Sequence, residues 1–247
     1  MWQGESQVGP FLSVPFLPET MRPVDTLRHW TGRILQLGPS RIALGLAILF
    51  ALLALASPWW AFTTDLGGGD RVTSVFGWTT VTAEEFDNGV WVRTTIESYA
   101  RPSFDYPFVA STMGGSYLFT IVYLIVLIAA ASLLSLPVMR TMGPLAYLVL
   151  ALVVVGFGFA TLLYPVLVLP GGLAADTDPV PIGGGYWGSS TYDPPFGPQL
   201  SLTWGAALGW WFLLLGMICG IIGVALPYLR RLRTMGLPRP QPFRPGP

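Results

Sequence analysis

Glu84, Glu85 and Asp87 form the densest acidic group in the sequence. Neighbouring carboxyl groups can act as a general acid and a general base. No histidine, lysine or cysteine lies close to them in the sequence to serve as a nucleophile or a second base. Such a run is usually a solvated turn. We therefore predict no catalytic residue and no enzyme. The alternative, an enzyme or transporter for lipid substrates, would depend on these acids.

The other reactive residue types are scarce. All 13 basic residues are arginines, which excludes a lysine Schiff base and the lysine of a phosphate-binding loop. Cys219 and His29 each stand alone, which excludes an intrachain disulfide and a zinc, haem or iron–sulfur site built by this chain alone. We predict no metal and no cofactor of its own, while a bound lipid or lipid-like cofactor stays open. Asp176 and Asp178 leave calcium open, although calcium needs six or more oxygen ligands.

The composition explains this scarcity. Of 247 residues, 52% are hydrophobic and 11% are charged, whereas soluble domains carry about 25% charged residues. Four apolar stretches are long enough to cross a bilayer as helices, at residues 42–62, 117–139, 144–169 and 202–229. None has an ionisable Asp, Glu, Arg or His in its interior. The sequence predicts an all-α membrane protein, with a four-helix membrane bundle over residues 41–229.

Charge is divided unevenly between the connecting segments. The two terminal segments and the turn between the second and third stretches carry ten arginines and three acidic residues, a net charge of +7. The two remaining loops carry ten acidic residues and three arginines, a net charge of −7. The positive-inside rule then predicts a cell-membrane protein with cytoplasmic termini and two long outer loops. Trp59 and Trp60, at the outer end of the first stretch, fit an aromatic belt.

The first outer loop, residues 63–116, has the composition of β-structure. Residues 72–82 and 90–96 are rich in β-branched and aromatic side chains, and Asp87-Asn88-Gly89 has the chemistry of a tight turn. We predict a small β-hairpin or sheet in this loop. A lone hairpin is marginally stable in water, so it should rest on the second outer loop or on a partner chain.

The second outer loop, residues 170–200, contains seven glycines and six prolines. We predict no regular element of any length there. Such a loop is either mobile or held by its aromatic residues against another surface.

Two tails complete the chain. In residues 1–40 the apolar residues Leu27, Trp30, Ile34 and Leu37 recur at helical spacing, which predicts an amphipathic helix on the membrane surface, near anionic headgroups. Residues 230–247 are rich in proline and arginine and predict an extended cytoplasmic tail.

Small and aromatic residues are the candidate contact residues. Glycines four residues apart let helices approach closely, and the last stretch holds a set that we predict to pack helices: Gly205, Gly209, Gly216, Gly220 and Gly223. Exposed aromatic side chains often mark interfaces. The predicted partner contacts in the outer loops are Phe76, Trp78, Trp91, Tyr186 and Trp187.

The order of these segments resembles the claudin and peripheral-myelin-protein superfamily of four-span proteins. Trp59 or Trp60 corresponds to that family's tryptophan near the first span, and Gly89-Val90-Trp91 to its Gly-Leu-Trp. The family's two outer-loop cysteines, which form a disulfide, are absent here. The resemblance implies a surface protein that self-associates through its outer loops.

The spans hold no proton relay, ion path or redox ligand set. We therefore expect a non-catalytic accessory subunit of a larger membrane complex, for example respiratory or photosynthetic. It would stabilise assembly through transmembrane and outer-loop contacts. Its partners would be other membrane protein subunits and the bilayer, and no feature predicts nucleic-acid binding. The claudin-like surface protein and the lipid enzyme or transporter remain as alternatives.

Overall fold

The computed structural model describes residues 38–101, 105–141, 143–176, 185–194 and 199–236. The helices in these ranges are α1 (Pro39–Ala56), α2 (Pro107–Ser135), the short α3 (Pro137–Thr141), α4 (Pro144–Asp176) and α5 (Leu208–Gly236). The four long ones include segments apolar enough to cross a membrane, the fourth segment being Leu208–Arg230. The prediction of four membrane-spanning helices is thus supported by the length and composition of these helices.

Six strands form one antiparallel sheet: β1 (Trp60–Gly67), β2 (Asp70–Phe76), β3 (Thr80–Asp87), β4 (Val90–Ser98), β5 (Gly188–Tyr192) and β6 (Leu200–Ala206). Their order across the sheet is β4-β3-β2-β1-β6-β5. The prediction of an all-α protein with a small hairpin is therefore wrong. The second outer loop, residues 170–200, was predicted to hold no regular element, but it contains β5 and the first residue of β6. β6 joins the sheet by pairing with β1 from Trp60↔Ala206 to Asp65↔Ser201.

Two predicted spans were too long because they included strand residues. The first was expected to reach residue 62, but α1 ends at Ala56 and β1 begins at Trp60. The fourth was expected to begin at residue 202, but residues 202–206 belong to β6. Both strand segments are apolar because their side chains face the core: Trp60, Leu202 and Trp204 are all buried.

The helices pack through narrow stripes of small residues. On α1 the buried side chains are Ala43, Leu44, Ala47, Ala51 and Ala54, which recur every three or four residues and so share one face. This face lies against α5. Large apolar side chains on the other faces are exposed, such as Leu167, which is 74% exposed. Exposed leucines of this kind suit a helix surrounded by lipid.

The sheet has one buried face and one open face. Trp60, Phe76 and Val81 lie side by side in three neighbouring strands and are all buried. We call this the inner face. The opposite face carries short polar residues in register, including Thr63, whose hydroxyl lies 3.2 Å from that of Thr73. We call this the open face. The predicted amphipathic helix of residues 1–40 and the extended tail after residue 236 lie outside the described residues.

Candidate functional site

The junction between bundle and sheet, residues 57–59, is bound from four directions. The Ser57 carbonyl accepts a hydrogen bond from the Tyr117 hydroxyl of α2, at 2.7 Å. The Pro58 carbonyl accepts from the amide of Gly209 in α5, at 2.7 Å. The Trp59 carbonyl accepts from the Ala207 amide at 2.9 Å and from the Tyr186 hydroxyl at 3.2 Å. The connection from α1 to β1 and the connection from β6 to α5 are therefore hydrogen-bonded to each other.

The indoles of three tryptophans act as hydrogen-bond donors around this junction. The Trp59 indole donates to the Ala54 carbonyl at 2.9 Å, which satisfies a carbonyl at the end of α1. The Trp60 indole donates to the Tyr186 carbonyl at 3.1 Å, and the Trp204 indole to the Gly185 carbonyl at 2.9 Å. The last two bonds attach the second outer loop to the sheet. Trp59 and Trp60 are fully buried and thus are not an exposed aromatic belt.

A row of aromatic rings continues from the second outer loop to the start of α5. Tyr186 meets Trp187 edge to face at 4.6 Å between centroids. Trp187 meets Trp210 at 5.1 Å, and Trp210 meets Trp211 at 4.9 Å, also edge to face. Such geometry is favourable for aromatic quadrupoles. Tyr186 and Trp187 of the second loop are therefore held against the start of α5, which is one of the two expected arrangements.

Asp176 caps a helix. Its carboxylate accepts hydrogen bonds from the amides of Phe108, at 3.2 Å, and Val109, at 2.8 Å. These amides are in the first turn of α2, where the positive end of the helix dipole favours an anion. The carboxylate at the end of α4 thus holds the start of α2. Asp178 lies outside the described residues, and no group of residues suited to a metal occurs among those described.

Glu84, Glu85 and Asp87 of the first loop do not come together in one site. Glu85 forms a bidentate ion pair with Arg93, with both oxygens 2.7 Å from guanidinium nitrogens. That hydrogen bonding lowers the pKa of Glu85 below its usual value, which is the wrong direction for a general acid at neutral pH. Asp87 accepts a hydrogen bond from the Asn88 side chain at 2.8 Å, in the turn between β3 and β4. These contacts are typical of a solvated hairpin.

Glu84 lies elsewhere, in a cavity of about 420 Å³ between the open face and the end of α1. Trp78 and Tyr117 also line this cavity, and their rings stack nearly parallel with centroids 5.4 Å apart. The remaining lining includes threonine side chains of β3 and residues 55–58. The cavity therefore offers one carboxylate and an aromatic pair, and its lining residues include no second carboxylate and no histidine, arginine or cysteine.

Strand β4 is the most exposed element of the sheet. It forms one edge, and Val90, Trp91, Val92 and Ile96 are each more than half exposed. The register shifts between Glu85 and Phe86, so that Val92 is bulged out of the pairing. A bulge changes which way the following residues face. Here Trp91 reaches the open face, where its indole donates to the Thr94 hydroxyl at 3.2 Å.

The predicted partner contacts divide into two groups. Trp78, Trp91 and Trp187 are exposed by about half their surface, at 48%, 57% and 47%. Phe76 and Tyr186 are buried within the chain, at 2% and 3% exposure, so they are not surface contacts. Phe76 packs on Trp60, at 5.3 Å between ring centroids. The exposed valines and isoleucine of β4 were not selected from the sequence, although their place beside a tight turn was a signal for an edge strand.

The predicted helix-packing glycines are also divided. Gly205 lies in β6, so it does not form a helical pair with Gly209; the Trp187 ring occupies the space beside it. A Cβ on Gly209 would lie 2.8 Å from the Pro58 carbonyl oxygen. A Cβ on Gly216 would lie 3.3 Å from the Ala47 carbonyl oxygen. Gly220 and Gly223 would meet side chains of α2 and α1 respectively.

Comparisons with known proteins add no family. No protein-family model matches the chain, and no curated protein matches it. The resemblance to the claudin superfamily stays a prediction. Of the residues that carry it, Trp59 and Trp60 are at the junction, whereas Gly89-Val90-Trp91 is at the turn into the edge strand.

Proposed function

We propose that this chain is a non-catalytic accessory subunit of a larger membrane complex. It would bind other membrane protein subunits through its sheet and its helices. The observation that carries the proposal is the exposure of valines, an isoleucine and a tryptophan on β4, at the edge of the sheet and not on a helix that could span a membrane. Clustered apolar side chains on a surface mark sites of association.

The bulge in β4 favours contact through side chains. Bulges and charged residues on an edge strand hinder the addition of a further strand. β4 has both, since Val92 is bulged and Arg93 is paired with Glu85. A partner would therefore lie against Trp91 and Ile96 on the open face, and beside Val90 and Val92 at the edge.

The proposal includes an orientation in the membrane. The sheet carries the acidic loops and would lie outside, and the arginine-rich ends of α1 and α5 would lie in the cytoplasm. The absence of Asp, Glu, Arg, Lys and His from the centres of the helices further favours a packing role over transport.

Self-association through the outer sheet, as the claudin resemblance implies, is the second candidate. The same observation supports it, because β4 on one copy can contact β4 on another around a twofold axis. This candidate differs from the first only in the identity of the partner. Catalysis on lipids has weaker support, since Glu85 is ion-paired and Glu84 and Asp87 lie in different surroundings.

The test is purification of the tagged full chain from its native membrane in mild detergent, followed by measurement of native mass and composition. The test variant is Trp91→Ser with Ile96→Lys. The matched control is Leu66→Lys, an exposed apolar position on β1, across the sheet from β4. We expect wild type and control to co-purify with stoichiometric partner subunits and the double variant to lose them.

Three results would contradict the accessory role. A wild-type chain that purifies as a monomer without partner subunits would contradict the accessory role directly. A partner complex that survives the double variant would mean that β4 is not the contact. A homo-oligomer that the double variant dissociates would replace the accessory role with self-association.

A further inference from the structure

A cavity of about 320 Å³ lies at the end of the bundle that is farther from the sheet. It is lined by the start of α1, by α5 and by Leu134 and Tyr147 of the helices between them. Two of its lining residues are cationic, Arg41 of α1 and Arg230 of α5, and none is acidic. Neither guanidinium forms an ion pair with a residue that the structure describes.

The start of α1 adds a further positive potential to this cavity. The helix begins at Pro39, and its cap residue Gly38 provides no side-chain hydrogen bond. Pro39 has no amide hydrogen, and the amides of Arg41 and Ile42 both donate to the Gly38 carbonyl, each at 3.2 Å. The start of α1 therefore acts through the helix dipole, which is positive at this end. Two guanidiniums and a helix start that share one cavity repel one another unless an anion lies between them.

The hydroxyl groups of the cavity are already engaged. Ser40 donates to the Gly223 carbonyl, and Tyr147 donates to the Met139 carbonyl at 2.7 Å. These bonds join α1 to α5 and α4 to α3, and they use the proton of each hydroxyl. An anion in the cavity would therefore be bound by the arginines and the helix start, which is the arrangement that suits a phosphate group.

The position of the cavity indicates a lipid as the source of that phosphate. The first apolar segment begins at Pro39 and the fourth ends at Arg230, so both arginines would lie at the level of the lipid headgroups once these helices span a bilayer. An apolar groove of about 620 Å³ lies between α2 and α4. Leu133 lines the groove and Leu134 lines the cavity, so both spaces border the last turn of α2. A lipid bound at this turn would find a cationic cavity for its headgroup and an apolar groove for an acyl chain.

We propose that this cavity is a binding site for the phosphate group of an anionic glycerophospholipid. The inference does not depend on what the sheet contacts. Basic pockets between membrane helices are suited to anionic headgroups, and each arginine adds to the preference for an anionic lipid over a zwitterionic one.

The test uses native mass spectrometry of the purified full chain, titrated with phosphatidylglycerol or with phosphatidylcholine of the same acyl chains. We expect wild type to bind phosphatidylglycerol roughly tenfold to thirtyfold more tightly. Arg41→Gln with Arg230→Gln should reduce that ratio to about twofold or less. Arg233→Gln, which changes an exposed arginine of α5 outside the cavity, should leave the ratio as in wild type.

A charge-preserving variant keeps the test decisive if the glutamine variant unfolds. Arg41→Lys with Arg230→Lys should retain most of the preference for phosphatidylglycerol. An excess of inorganic phosphate should not displace the bound lipid. Equal binding of the two lipids by wild type would overturn the proposal, as would an equal loss in Arg233→Gln. Displacement by inorganic phosphate would assign the cavity to free phosphate instead.

Discussion

Trp59 contributes to the structure through its ring and its indole nitrogen together. The ring is fully buried and lies 5.6 Å from that of Tyr117, while the nitrogen binds the last turn of α1. Trp59→Phe retains a buried ring but leaves the Ala54 carbonyl with only the longer bond from the Ser57 amide, at 3.4 Å. We expect the free energy of unfolding to fall by about 1–3 kcal/mol, measured by denaturant titration in detergent.

The control for this prediction is Trp211→Phe. Trp211 is 48% exposed and lies in α5, where its ring contacts Trp210. It should change the free energy of unfolding by less than about 0.5 kcal/mol. Equal effects of the two substitutions would show that the indole bond at the junction does not stabilise the fold.

The Asp176 carboxylate stabilises the start of α2. Asp176→Ala removes the acceptor for two amides at the start of α2, so unfolding should become easier by about 0.5–2 kcal/mol. The exposed Asp193, for which no such cap is seen, gives the control Asp193→Ala. Amide hydrogen exchange at Phe108 and Val109 should accelerate in the first variant only. Unchanged exchange at both amides would argue against the cap.

Residue types were predictable here, but their partners were not. From the sequence, Trp59 and Trp60 were predicted to lie in an exposed aromatic belt. Hydropathy indicates how close a residue lies to the membrane, but not which residues it contacts. Their burial depends on β6 and Tyr186, which are more than 100 residues away in the chain. The two arginines of the cavity were visible in the sequence as charge, yet only the packing of α1 against α5 brings them to one space.

Helices α1 and α5 pack closely against each other at Gly216. A side chain there would meet the backbone of α1 near Ala47 and Ala51, and backbone cannot move aside as a flexible side chain can. Gly216→Leu should therefore destabilise the bundle by about 1–3 kcal/mol. Gly156→Leu is the control, since Gly156 of α4 is exposed with open space beside it. Thermal unfolding in detergent compares them, and similar losses would mean that the α1–α5 contact is not tight.

Hydropathy predicted the four long helices well but not the ends that adjoin the sheet. Residues 57–62 and 202–206 are as apolar as membrane helix, because they line a core instead of lipid. The hairpin turn at Asn88 and Gly89 was predictable, and both residues have positive φ. The pairing of β1 with β6 could not be predicted, because the two strands lie far apart in the sequence and no residue pattern in one strand identifies the other as its partner.

At the scale of the whole molecule, the charge asymmetry predicts the orientation. In a Cys219→Ala background, Asp87→Cys places a thiol at the tip of the sheet and Arg233→Cys places one in the last turns of α5. A membrane-impermeant maleimide added to intact cells should label the first and spare the second until the membrane is opened. The reverse pattern would place the sheet in the cytoplasm and contradict the positive-inside assignment.

The junction of bundle and sheet has a mechanical consequence. Only residues 57–59 separate α1 from β1, and only Ala207 separates β6 from α5. The two connections are also bonded to each other, through the amides of Ala207 and Gly209. The sheet is thus joined to α1 and α5 by short, hydrogen-bonded connections and cannot rotate independently of these two helices. Any torque that a bound molecule exerts on the sheet would reach the bilayer as a change in the tilt of α1 and α5.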